Sequence, residues 1–73
     1  MVITFPSYTR AHVGLGALAQ KGIEARIVRL GADARERGCA YGLMLTGPHP
    51  DPEGALSALR RAGVEYRAVR DHV

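Results

Sequence analysis

The chain has 73 residues, 47% of them apolar, with a net charge of +3 and nine arginines among its ten basic side chains. That length fits one domain; the single cysteine excludes an internal disulfide, and no stretch approaches the ~20 apolar residues of a membrane span. His12, His49 and His72 are too widely spaced for a zinc motif, and no acid–base pair or triad is visible, so neither a metal nor a complete active site is expected.

Met1-Val2-Ile3-Thr4 carries no basic region ahead of an apolar core, so no signal peptide is expected and the thiol is placed in the reducing cytoplasm. Thr4 and Phe5 close a short β-prone run that Pro6-Ser7 stops. Ser7 or Thr9 is then the cap of a helix running to about Lys21, with Gly22 as its left-handed C-terminal residue and Ala11, Leu15 and Leu18 as its buried stripe. Gly14-Leu-Gly16-Ala-Leu-Ala19 has the letters of a dinucleotide-binding fingerprint. Its glycines fall inside the helix instead of in the turn after a strand, so no cofactor is expected. Gly14 and Gly16 read instead as places where the helix lies close on a sheet.

A strand follows over Ala25 to Leu30. The segment Gly31 to Ala40 has two glycines, mixed charge and no helical stripe, and reads as a loop of about ten residues, well beyond the usual hairpin connection. Tyr41 to Leu45 is nearly all apolar and should be a central strand. Gly47-Pro-His49-Pro is a rigid turn with His49 exposed. Asp51 is an N-cap, Pro52 fits the first helical position and Glu53 suits the positive end of the dipole. Ala55, Leu56 and Leu59 form the second stripe, Arg60 and Arg61 a solvated face, and Gly63 the end. Val64 to Arg70 is the last strand.

The two halves repeat. Leu18 to Arg29 lies over Leu59 to Arg70 at an offset of 41 residues, with six of twelve positions identical. Carried back, the offset sets Val2–Phe5 over Leu43–Thr46, giving one domain with a pseudo-repeat over 2–30 and 43–71. The order β-α-β-β-α-β, with right-handed βαβ units, predicts an α+β ferredoxin-like fold: a four-stranded antiparallel sheet with two helices on one face.

Cys39 is the one residue able to carry covalent chemistry. It ends the long connection, with Arg35 and Arg37 close by and Gly38 leaving room for a partner. Positive charge near a thiol raises the thiolate fraction, the nucleophilic form. The competing reading makes Cys39 a small apolar residue at the start of a buried strand.

The Ile3-Thr4-Phe5-x-Ser7 opening, the helix ending in Gly22-Ile23, the Arg26-to-Leu30 strand, Cys39 before the third strand and the acid-capped helix ending in Gly63-Val64 resemble the selenium/sulfur carrier-like proteins over nearly the whole chain. Members of that family carry Ser-Ser-Cys-Gly where this chain has Arg37-Gly38-Cys39-Ala40, and Gly42 stands two residues further on. The resemblance implies that Cys39 accepts a sulfane sulfur, or selenium, from a cysteine desulfurase-type donor and passes it to an acceptor protein.

Two other features bear on partners. Ser7, Tyr8 and His12 at the start of the first helix could form a polar mouth for a small ligand, or serve as a cap with exposed neighbours. The alternative to a carrier is accordingly a regulatory or interaction module with a structural cysteine. Small domains of this type gain stability from association, which makes a homodimer or a partner protein a natural expectation. The basic-aromatic signature of an RNA-recognition domain is absent, which argues against nucleic acid.

Overall fold

The computed structural model describes residues 1–70; Asp71, which ends the second half of the repeat, and His72 lie outside the described residues. The elements are β1 (Val2–Phe5), α1 (Tyr8–Gln20), β2 (Ala25–Arg29), α2 (Ala32–Glu36), β3 (Tyr41–Leu45), α3 (Pro52–Arg61) and β4 (Ala68–Arg70). All four strands form one antiparallel sheet in the order β2-β3-β1-β4. The expected α+β class and four-stranded antiparallel sheet are therefore present, with β1 and β3 as the central strands.

Successive strand residues point to opposite faces, and this alternation divides the molecule. Ile3, Phe5, Leu43 and Leu45 face the main core, where Ala11 and Leu18 of α1 and Ala55, Ala58 and Leu59 of α3 close over them. Val2 faces the other way and packs with Leu30 and Ala34, so α2 covers part of the opposite face. Gly14 is where α1 touches the sheet: a Cβ there would come within 2.9 Å of Phe5 Cζ and 3.1 Å of Leu43 Cδ1. Gly16 does not share this role, because a Cβ there would meet open space; it sits on the exposed side of the helix, and only Gly14 explains the close approach.

Each helix starts and stops as its residues dictate. Ser7 Oγ accepts a hydrogen bond from the Arg10 N–H at 3.2 Å, and Asp51 Oδ1 accepts one from the Gly54 N–H at 3.0 Å, satisfying N-terminal donors that the helices leave open. All three helices end on a glycine with positive φ, Gly22 (72°), Gly38 (84°) and Gly63 (71°). The next N–H then donates back into the last turn: Ile23 to the Leu18 carbonyl at 3.0 Å, Cys39 to Ala34 at 2.9 Å and Val64 to Leu59 at 2.9 Å. This is the Schellman motif, in which the residue after the glycine makes an apolar contact with the last turn.

Two sequence expectations are corrected. The segment Gly31 to Ala40 is not a plain loop, and the described residues hold three helices, not two. Among the five residues of α2 only Ala34 is buried, so the helix is too short to show a stripe. Its signals are instead Asp33 in the first turn, Arg35 in the last, and a closing glycine like those of α1 and α3. The last strand is also shorter than Val64 to Arg70. Val64 is used to close α3, and Tyr66 packs against the main core. Sheet bonding begins only where the Arg67 N–H donates to the Thr4 carbonyl at 2.8 Å.

Candidate functional site

Cys39 is positioned by backbone bonds on both sides. Its own N–H is held by Ala34, and the carbonyl of the following residue, Ala40, accepts from the Leu30 N–H at 2.9 Å, tying the end of α2 to the end of β2. The side chain is partly buried and lies against the Val2, Leu30 and Ala34 cluster, beside Val28 and Met44. Gly42 makes this packing possible. A Cβ at Gly42 would fall 2.6 Å from Val2 Cγ1 and 3.3 Å from Leu30 Cδ2. Its absence leaves room for the Val2 and Leu30 side chains of the cluster that Cys39 packs against, so Gly42 is a packing glycine.

Cys39 also lines an open cleft of about 200 Å³ with Thr4, Ala34, Arg37, Ala68 and Arg70. The register brings these residues together: β1 pairs with β4 so that Val2 stands opposite Arg70 and Thr4 opposite Ala68. Thr4 is buried, and its hydroxyl donates to the Ala68 carbonyl at 3.3 Å, holding the edge strand against β1. The lining thus combines two alanines and a threonine with the cysteine and two arginines.

Of the residues singled out in the sequence, Arg37 joins Cys39 in this cleft. Arg35 is exposed on α2 and does not line it. Gly38 is exposed, and its positive φ serves the helix end. Sequence reasoning missed Arg70 and Thr4, because pairing of strands more than sixty residues apart delivers them and no local signal marks them.

The Ser7, Tyr8 and His12 group resolves differently. Ser7 is engaged as the α1 cap. Tyr8 stacks edge-on against Tyr41 at 5.5 Å between ring centroids and lies 6.0 Å from the His12 ring. The ring contact joins α1 to β3 through Tyr8, and Tyr8 and His12 both stay exposed. At the opposite end of β3 a larger concavity, about 470 Å³, is lined by residues that include Lys21, Glu24, His49 and Asp51. Its carboxylates have structural work: Asp51 caps α3, and Glu24 lies over Gly47, where a Cβ would come 2.7 Å from Oε2. His49 is exposed. Among the described residues, no group of three or more His, Cys, Asp or Glu side chains is arranged to hold a metal ion, and no helix is long and apolar enough to cross a membrane. Comparison with protein-family models, with curated proteins and with solved structures gives no match to this chain.

Proposed function

We propose that this chain is a cytoplasmic sulfur or selenium carrier of the selenium/sulfur carrier-like type, on a ferredoxin-like arrangement with α2 inserted between β2 and β3. The arrangement is supported by the strand order β2-β3-β1-β4, with α1 joining β1 to β2 and α3 joining β3 to β4. One observation carries the functional reading: the single thiol of the chain lines an open cleft with Arg37 and Arg70 instead of being sealed in the main core.

The chemistry is thiol exchange on sulfane sulfur. The Cys39 thiolate attacks the outer sulfur of a donor persulfide, the donor S–S bond breaks, and the donor thiolate leaves with the electron pair. Cys39 then holds a persulfide, or the selenium equivalent. With no second cysteine in the chain, the sulfur is passed on only when an acceptor protein supplies the next nucleophile. The guanidinium groups favour docking against acidic surfaces of donor and acceptor. The open edges β2 and β4 are where a second copy of the chain would pair.

A second reading has its own observation. Cys39 occupies the position that Ile23 and Val64 occupy after the other two helices, where an apolar contact frequently accompanies the motif. On that reading the thiol is packing, and the chain is an interaction module.

Incubation with a cysteine desulfurase and free cysteine, read by intact mass, separates the two. The carrier acquires one sulfur atom that is absent in Cys39→Ser and lost on adding an acceptor thiol. A native chain that stays unmodified while the desulfurase turns over contradicts carriage and leaves the module.

A further inference from the structure

Among the described residues, the charged side chains lining the cleft beside Cys39 are both arginines, Arg37 and Arg70. The two arginines come from unrelated places, the C-cap of α2 and the last residue of β4. Their meeting therefore depends on the whole sheet and not on neighbouring sequence. A planar guanidinium offers a fork of donors matched to oxyanions, and two arginines on one small cleft supply such donors with no carboxylate among the described lining residues. The size points the same way. At about 200 Å³ the cleft holds a few water-sized groups, which suits a small ion and not a folded peptide segment. Thr4 adds no further donor, because its hydroxyl is engaged by Ala68.

Resting on the sulfur-carrier reading, we propose that this cleft takes a small sulfane-sulfur anion of the thiosulfate class, its oxyanion end on Arg37 and Arg70 and its outer sulfur on Cys39 Sγ. The Cys39 thiolate attacks the outer sulfur, the sulfur–sulfur bond of thiosulfate breaks, and sulfite leaves with the electron pair. Cys39 keeps the transferred sulfur as an anionic persulfide. Total charge is unchanged across the step, and no oxidant or reductant is consumed. The arginines act where the leaving oxyanion gathers charge.

The test follows sulfur loading of the full chain by intact mass with two donors, thiosulfate and the persulfide of cysteamine, which carries an ammonium and no oxyanion. Thiosulfate loads the native chain. Arg37→Gln and Arg70→Gln each slow that loading about tenfold more than they slow loading from cysteamine persulfide, the excess being the loss of one charge-assisted contact to the oxyanion. An unfolding midpoint matching that of the native chain shows that the variants keep the fold. In the unreactive Cys39→Ala chain, thiosulfate shifts the amide resonances of Ala34 and Ala68, and Arg70→Gln abolishes the shift. Loading from cysteamine persulfide with none from thiosulfate, or thiosulfate rates equal in native and variant chains, overturns the anion site and leaves the carrier reading standing. Sulfur from neither donor overturns both.

Discussion

The two faces of the sheet are built on different terms. One face carries Ile3, Phe5, Leu43 and Leu45 under two full helices, and its cluster holds only apolar side chains. The other carries Val2 under a single short helix, with Leu30, Ala34, a glycine at position 42 and a partly buried thiol. The same helix-ending motif serves both faces. After α1 and α3 it plants Ile23 and Val64 on the thick core; after α2 it plants Cys39 on the thin one. Val64 is buried at that position, while Ile23 and Cys39 are both partly buried, so the contrast lies in what surrounds the position: the apolar core on one face and an open cleft on the other. A deep face supplies stability, and a shallow face leaves a reactive atom at the lip of a cleft.

Substitutions can break this comparison from either side. Truncating Phe5, fully buried in the thick core, should cost ~3–5 kcal/mol in denaturant unfolding, enough to unfold much of so small a domain. A loss comparable to that of an exposed residue would mean that the first face is not the stabilising one. On the thin face, Gly42→Ala should cost ~1–3 kcal/mol by overpacking, since the new methyl meets Val2 and Leu30. It should also change Cys39 alkylation, which a substitution confined to the other face would not do. On α1, Gly16→Ala should stabilise the chain by about 1 kcal/mol, because the methyl enters open space and removes a flexible helical residue. Gly14→Ala should lose that gain against Phe5 and Leu43. Thermal unfolding of the pair tests whether the helix approaches the sheet at one glycine or two. The smallest effect is expected for Cys39→Val, whose side chain matches Val64 at the equivalent position. Unfolding free energy should move by no more than about 1 kcal/mol while sulfur uptake disappears. A large loss of stability would make the thiol a packing group.

Much of the fold is legible in the sequence, and the reasons are local. Gly22 and Gly63 mark helix ends because only glycine takes their backbone conformation cheaply, and Asp51-Pro52 marks a start because capping and proline geometry act within one turn. The helix α2 escaped because five residues with one buried alanine give no periodicity, although Gly38 carried the same stop signal as the other two. The site was half legible. Cys39 and Arg37 are neighbours in sequence, whereas Arg70 and Thr4 reach the cleft through strand register, which no short window contains. Ser7 was legible as one of two candidate caps because capping acts within one turn, and of Ser7 and Thr9 it is Ser7 that takes the Arg10 N–H.

The central claim, that Cys39 is addressable in the folded chain, is tested most directly by the rate of its alkylation by iodoacetamide across a urea titration, read by intact mass. The account requires labelling in the absence of urea at a rate that stays flat below the unfolding transition. Labelling that is negligible in the native chain and rises in proportion to the unfolded fraction would contradict it.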